Sequence, residues 1–301
     1  MQKKKLALAL SGCGARAVMY FAMLEVFDEE GIEIDMISAC SSATFIACSY
    51  ASGTLKEFKE FYFKLGRKEL AGLFKPSFNG GLLNFDAAAE VLKPFIPYEN
   101  LEDLPMPVSI VASDIRYGDK VVLSVGNIIR AIKASCCMPG LFEPVIWGDR
   151  ILIDGGLFHI VPTEAARSLG ADIVVGVDLA TTRNLFKQEV LYLKRGYNVV
   201  AVPFRELAKL KDRAVEFVSG NADRSAYLDE VKMPGILSIL DKSMDYAMDE
   251  RKKTEYFDCD LIIKPNVKGF KDVDMGNREA MYLEGRRATL EALPKIKELL
   301  K

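Results

Sequence analysis

ISACSSATFIACSYASG, residues 37–53, is the stretch that decides how this sequence folds. A short apolar run leads into small residues around Ser41, and an apolar stretch compatible with a helix follows. This is the layout of a nucleophile elbow, where a serine sits on a sharp turn between a strand and a helix. The usual pattern is G-x-S-x-G, and Ala39 and Ala43 stand here at the glycine positions. The stretch predicts either a nucleophile at Ser41 or an ordinary buried start of a helix.

Apolar runs of strand length recur along the first 180 residues and alternate with stretches of helical periodicity. The predicted central strands are Leu6–Leu10, Val108–Ala112, Ile151–Ile153 and Ile173–Val177. The predicted helices include Ala15–Glu30, Ala43–Tyr50, Leu55–Lys64 and Ala87–Phe95. Residues 114–124 predict a hairpin with Gly118 in its turn. The alternation is typical of an α/β fold, so we expect a three-layer sandwich with a mainly parallel central sheet flanked by helices.

The last third of the chain has a different pattern. Strand-like runs disappear over about residues 186–257, where apolar residues recur at helical spacing: Ile236, Leu240, Met244, Ala247 and Met248. Such a stripe packs on a core or faces lipid. A late strand at Leu261–Lys264 and a closing helix at 279–300 follow. We expect one domain over residues 1–301, with its core at about 5–180 and 258–301 and a mainly helical segment at about 186–257.

Composition excludes some classes of function. Forty basic and forty-two acidic residues give a formal net charge of -2, which offers no general attraction to nucleic acid. The six cysteines include no CxxC pair and the chain has one histidine, so we expect no structural zinc site. We expect the adjacent Cys136 and Cys137 to be two buried thiols. The pattern is typical of a reduced, cytoplasmic protein.

The N-terminal stretch MQKKKLALALSGC also resembles a bacterial lipoprotein signal that would leave Cys13 as a lipidated N-terminus. Its apolar run, Leu6–Leu10, is shorter than the roughly 7–15 residues of such signals. Cleavage would also remove the first predicted strand. We therefore expect no export through Cys13, and no other stretch has the roughly 20 continuous apolar residues of a membrane span.

The glycine turn in LALALSGCGARA, residues 6–17, has two interpretations. Gly12, Gly14 and Ala17 satisfy the dinucleotide fingerprint G-x-G-x-x-G/A, which needs an acidic residue about 20 positions later, after the second strand. Glu33 has this spacing, but it precedes the second apolar stretch, Met36–Ala39, and does not follow it. Alternatively, backbone N–H groups at this turn stabilise an oxyanion of acyl transfer, with Cys13 and Gly14 as donors.

A third candidate lies in ILIDGGLFHIVP, residues 151–162, where a strand ends at Asp154. A carboxylate at the C-terminal edge of a strand is well placed to act as a general base. Taken alone, Asp-Gly-Gly is more often just a turn.

The order of the glycine turn, the serine elbow and the DGG resembles the patatin-like phospholipase family, over roughly residues 5–180. The segments at 112–124, 131–145 and 156–179 are similar to family segments as well. The resemblance implies a lipid acyl hydrolase with a Ser–Asp dyad, in which Ser41 is the nucleophile and Asp154 the base. It assigns the oxyanion hole to Gly12, Cys13 and Gly14, and supporting positions to Arg16, Ser42, Gly155, Gly156 and His159. His159 stands where family members often have asparagine. It is either an incidental replacement or a recruited base.

The same resemblance implies a lipid or ester substrate, no cofactor, no metal and peripheral contact with a membrane. Four residues replace family glycines: Cys13, Ala17, Ala39 and Ala43. An active hydrolase, a degenerate relative that binds lipid or a partner with little turnover, and a Rossmann-type nucleotide binder therefore remain as alternatives. Residues 74–85 are aromatic and glycine-bearing, and predict either a flap at an acyl pocket or a surface loop.

Overall fold

The computed structural model describes residues 3–77, 79–180, 255–270 and 275–301. Within them the predicted alternation of strands and helices is confirmed. The strands are β1 (Leu6–Leu10), β2 (Met36–Cys40), β3 (Lys75–Pro76), β4 (Gly81–Asn84), β5 (Val108–Asp114), β6 (Asp119–Leu123), β7 (Gly140–Phe142), β8 (Val145–Trp147), β9 (Arg150–Asp154), β10 (Ile173–Val177) and β11 (Leu261–Ile263). The helices are α1 (Val18–Glu29), α2 (Ala43–Ala51), α3 (Leu55–Lys64), α4 (Arg67–Gly72), α5 (Asp86–Leu92), α6 (Ile128–Cys136), α7 (Thr163–Ser168) and α8 (Arg278–Leu299).

The central sheet is mainly parallel, as the sequence predicts. Strands β11, β10, β1, β2 and β5 are neighbours in that order, and each adjacent pair is parallel. Every residue of β1 is buried because both faces of the strand are covered. Leu6, Leu8 and Leu10 pack with α1 and α8 on one face, whereas Ala7 and Ala9 pack towards α7 on the other. The result is a three-layer α/β/α sandwich.

Strand β5 is the place where the sheet changes direction. The predicted hairpin is confirmed, and β6 runs antiparallel along one edge of β5 from Ile110 to Asp114. The other edge is shared, because β2 pairs with its first half and β9 with its last three residues. Cys40 therefore lies opposite Val111, and Asp154 lies opposite Ala112. The C-terminal ends of β2 and β9 meet end to end on this edge.

Some elements differ from the sequence expectation. The predicted central strand at Ile151–Ile153 is antiparallel and only partly buried, because a tight turn at Gly148 pairs β9 with β8 at the end of the sheet. Helix α1 begins at Val18, after a 3-10 turn at Gly14–Ala17. A small sheet of β3, β4 and β7 was not expected. The helix predicted around residues 236–248 lies outside the described residues, as does most of the segment at 186–257.

The cysteines follow the expectation. All six are free, and Cys136 and Cys137 are both buried. Cys13 is buried as well and lies three residues after the end of β1, a central strand of the sheet. None of the helices in the described part of the chain combines the length and the apolar character needed to cross a membrane.

Candidate active site

Ser41 lies on the turn between β2 and α2, as the sequence predicts. Its φ is 50°, and no other non-glycine residue in the described part of the chain has a positive φ. Left-handed backbone at a residue with a side chain costs about 1–3 kcal/mol and persists only where neighbouring contacts fix it. The Ser41 N–H donates to the hydroxyl of Ser135 at 2.8 Å, which is one such contact. This geometry is that of a nucleophile elbow.

The hydroxyl of Ser41 donates to the carboxylate of Asp154, with an Oγ–Oδ2 distance of 2.7 Å. The other carboxylate oxygen, Oδ1, accepts the N–H of Gly156 at 2.7 Å. Asp154 is thus oriented by the backbone of the DGG turn on one side and by Ser41 on the other. The meeting of β2 and β9 on one edge of β5 brings these two residues together across 113 positions of sequence.

The surroundings of Asp154 favour its protonated form. Burial raises the pKa of this carboxyl group to about 6, although the hydrogen bonds from Ser41 and Gly156 oppose the shift. Burial likewise raises the pKa of the neighbouring Cys40 and Cys136 thiols well above their usual range. These thiols stay neutral near pH 7, whereas Asp154 is largely ionised there and can accept a proton.

The glycine turn at Gly12–Gly14 lies against the elbow. A Cβ at Gly12 would be 2.9 Å from the Cβ of Ser41, so only glycine allows this close approach. The fully buried Arg16 donates to the Cys13 carbonyl from Nε at 3.3 Å and from its backbone N–H at 3.2 Å. Because a trans peptide directs its C=O and N–H in opposite directions, the Gly14 N–H points away from Arg16. Gly14 lines the same cavity as Ser41.

The four replaced glycines are explained by backbone conformation. Cys13 has a φ of -159°, which is extended backbone that any residue adopts, and Ala17 has a φ of -52°. Ala39 lies within β2 and Ala43 begins α2, so both have regular dihedral angles. The left-handed position in the loop is Gly14, with a φ of 57°, and it has remained glycine. The replacements therefore strain neither the loop nor the elbow.

A cavity of about 180 Å³ lies over Ser41 and Asp154. Its walls are mostly apolar and include Phe45, Ile46, Tyr62, Leu70, Phe74, Phe85, Met138, Leu141, Phe142 and Met275. Three rings form one wall, with centroid distances of 5.2–5.6 Å among Phe74, Phe85 and Phe142. Phe74 and Phe85 are the ends of the segment for which a flap or a loop was expected. That segment borders the pocket, and β3 and β4 lie within it.

The structure places His159 elsewhere. Its ring is buried, with Nδ1 3.9 Å from Oε1 of Glu255, and it is not among the described residues that line the cavity. The Glu255 carboxylate also accepts the N–H groups of Ile160 and Val161, and burial raises its pKa to about 7. His159 and Glu255 thus belong to the packing behind the DGG turn.

Two further positions named in the sequence analysis are Ser42 and Glu33. Ser42 lines the cavity, and its hydroxyl accepts the Cys13 N–H at 3.4 Å. Glu33, the candidate ribose ligand of the nucleotide-binding alternative, forms an ion pair with Lys3. It precedes β2, and so lies at the opposite end of that strand from Ser41.

Sequence reasoning missed Ser135, whose hydroxyl contacts the Ser41 backbone. It stands in AIKASCCMPGLFEPV, a segment noticed only as similar to the family. A small polar residue on the buried face of α6, directly before two cysteines, was the signal available.

Residues 8–167, more than half of the chain, match the family model described as patatin-like phospholipase. An uncharacterized NTE family protein of Mycobacterium tuberculosis is 28% identical over 176 residues, which cover 58% of this chain and 49% of that protein. Patatin-like phospholipase domain-containing protein 6 of Mus musculus is 25% identical over 297 residues, which cover 92% of this chain and 20% of that protein.

The chain spans about half the length of the first of these relatives and a fifth of the second. The crystal structure of VipD from Legionella pneumophila is similar in fold, with a TM-score of 0.51 and 15% identity. The alignment covers 98% of this chain and 67% of VipD. With the match over the β1 strand, the Ser41 elbow and the DGG turn, this chain belongs to the patatin-like phospholipase family.

Proposed function

We propose that this protein is a lipid acyl hydrolase that uses Ser41 as its nucleophile and Asp154 as its general base. The observation that carries the proposal is the 2.7 Å hydrogen bond from Ser41 to Asp154 beneath an apolar cavity. A serine hydroxyl needs an adjacent base to become an effective nucleophile, and Asp154 is that base here. Membership of the family supports lipid acyl hydrolysis at the level of the reaction class.

In the first half-reaction, Ser41 Oγ attacks the carbonyl carbon of an ester while its proton moves to Asp154 Oδ2. The N–H groups of Gly14 and Cys13 donate to the oxyanion, and Cys13 exchanges Ser42 Oγ for the substrate oxygen. The tetrahedral intermediate collapses, and the alcohol leaves with the proton from Asp154. The acyl group remains on Ser41.

In the second half-reaction, water takes the place of the alcohol. Asp154 accepts a proton from the water, whose oxygen attacks the acyl carbon. Collapse of the second intermediate returns the proton to Ser41 Oγ and releases a carboxylic acid. One carboxylate serves both halves because its pKa lies close enough to neutrality to accept and return a proton.

We infer that the substrate is an acyl ester whose chain enters the apolar cavity and whose head group stays outside. The aromatic wall of Phe74, Phe85 and Phe142 suits a hydrocarbon chain and offers no charged side chain for a polar group. Such lipids reside in membranes or micelles, so we expect peripheral contact with a lipid surface. We also propose that residues 1–301 form one hydrolase domain.

A second candidate function is lipid binding with little turnover. The observation that favours it is the Cys13 N–H, which already donates to Ser42 Oγ and would have to exchange partners. Hydrolysis of p-nitrophenyl esters of graded chain length, and of a detergent-dispersed phospholipid, separates the two candidates. Hydrolysis well above the Ser41→Ala rate supports the hydrolase. Retention of a fluorescent fatty acid, with hydrolysis no faster than that of Ser41→Ala, supports the binding protein.

The pH dependence of kcat/KM is expected to show an acid limb with an apparent pKa of about 6, the value to which burial raises Asp154. Below this pKa Asp154 is protonated and cannot accept the Ser41 proton, so the rate falls as pH falls and levels off above it. Initial rates at low ester concentration measure this profile. Glu255→Gln is the control and should keep the limb, since Glu255 lies behind the DGG turn. A rate that is constant between about pH 5 and 8 would contradict Asp154 as base.

Cys13→Gly is expected to leave kcat/KM within about threefold of the wild type. The extended φ of Cys13 accommodates either residue, and the N–H donor stays in place. Loss of the buried thiol should lower the free energy of unfolding by about 1 kcal/mol. Ester hydrolysis and thermal unfolding measure the two effects. A rise in kcat/KM of tenfold or more would show that the Cys13 side chain obstructs the oxyanion hole.

A further inference from the structure

We propose that Ser135 is a positioning residue that holds Ser41 in its reactive conformation. Ser135 lies on α6 and is fully buried. Its hydroxyl donates to the carbonyl oxygen of Val111 at 2.6 Å and accepts the N–H of Ser41 at 2.8 Å. One side chain thereby connects the nucleophile's backbone to strand β5.

The location of this link explains its importance. Val111 lies opposite Cys40, the last residue of β2, and its neighbour Ala112 lies opposite Asp154. The point on β5 that Ser135 contacts is therefore the point where the strands carrying the nucleophile and the base meet. A displacement of Ser41 relative to this point would lengthen the 2.7 Å hydrogen bond to Asp154.

The left-handed backbone of Ser41 requires such a link. Without compensation, a residue with a φ of 50° relaxes towards an ordinary dihedral angle. The helix-forming hydrogen bond from the Thr44 N–H, 2.9 Å from the Ser41 carbonyl, fixes the C-terminal side of the residue. Ser135 fixes the N-terminal side through the Ser41 N–H. Both peptide groups that flank Ser41 are thus held.

The same hydrogen bond removes the Ser41 N–H from the candidate donors of the oxyanion hole. The Ser41 N–H is occupied by Ser135 and so does not donate to the oxyanion, which agrees with donors from the Gly12–Gly14 turn. Ser135 itself is absent from the described lining of the cavity, so it acts through Ser41 and not on the substrate. Its role in turnover rests on the proposed hydrolase function, whereas its role in fixing the elbow does not.

The test compares Ser135→Ala with the matched control Ser109→Ala. Ser109 is another fully buried serine, on β5 itself, and its hydroxyl has no hydrogen-bond partner among the described residues. In Ser135→Ala we expect kcat for an ester to fall about 10²-fold, because a displacement of about 1 Å has that effect, with KM within about threefold of the wild type. We expect Ser109→Ala to keep both constants.

Hydrogen exchange of the Ser41 amide, followed by NMR, measures the elbow without turnover. Protection of this amide should fall on the order of tenfold in Ser135→Ala and stay unchanged in Ser109→Ala. If the wild-type protein hydrolyses no ester and Ser135→Ala still loses protection, the positioning role is supported and the hydrolase is rejected. Unchanged protection, or a kcat within twofold of the control in an active enzyme, would overturn the proposal. A Ser135→Ala protein that unfolds at the assay temperature while Ser109→Ala stays folded would also overturn it, since Ser135 would then be structural.

Discussion

Ser41→Ala and Asp154→Asn are each expected to lower kcat/KM for an ester by about 10⁴-fold or more. The alanine removes the nucleophile, and the asparagine keeps the shape of the base but cannot take its proton. Because the two side chains act as one unit, the double variant should be no slower than the slower single variant. Ester hydrolysis at saturating and low substrate measures the effect.

Asp149→Asn is the matched control for the aspartate. Asp149 lies on the turn before β9 and accepts the exposed Tyr117 hydroxyl, away from the cavity. The kcat/KM of Asp149→Asn should stay within about twofold of the wild type, as is usual for surface substitutions. Multiplicative losses in the Ser41 and Asp154 double variant would contradict a dyad, because they would mean that the two residues act independently.

Gly155→Ala is expected to lower the free energy of unfolding by about 3 kcal/mol and kcat/KM by about 10²-fold. A Cβ at this position would lie 2.4 Å from the Val111 carbonyl oxygen, so β5 and the DGG turn would have to separate. Gly155 is not among the glycines with positive φ, and the expected effect therefore comes from close approach alone. Denaturant unfolding and ester hydrolysis measure the two losses.

The matched control is Gly66→Ala, another glycine without a positive φ. Its Cβ would approach only the end of the flexible Glu69 side chain, at 3.1 Å, so we expect a change in unfolding free energy below about 1 kcal/mol. Similar stability of the Gly155→Ala and Gly66→Ala proteins would show that the DGG turn lies farther from the Val111 carbonyl than the 2.4 Å contact requires. The placement of the DGG turn against β5 would then need revision.

Much of the fold could be predicted because apolar runs identify buried parallel strands. The observed bounds of β1 and β10 coincide with the predicted runs Leu6–Leu10 and Ile173–Val177, and α3 coincides with Leu55–Lys64. The position of β9 was predicted from its apolar run, but its antiparallel direction was not. Periodicity carries no information on which edge of the sheet a strand joins. Family resemblance singled out Ser41 and Asp154, and the structure brings them within hydrogen-bond distance.

The remaining features depend on contacts between distant residues. The link between Ser135 and Ser41 spans 94 positions and follows from the packing of α6 on β5, which no local pattern encodes. The tolerance of cysteine at position 13 depends on one dihedral angle, since Cys13 is extended and Gly14 is left-handed. His159 was an open alternative base because sequence alone did not show that its ring contacts Glu255.

The most direct test of the central claim is the reaction of the protein with a fluorophosphonate, located by mass spectrometry of the digested chain. This probe forms a covalent bond only with an activated serine, so it reports on the nucleophile without a choice of lipid. We predict one adduct, on the peptide that contains Ser41, with labelling strongly reduced in Asp154→Asn. Labelling of another serine, or none in the folded wild-type protein, would contradict the assignment of Ser41 and Asp154 as the catalytic pair.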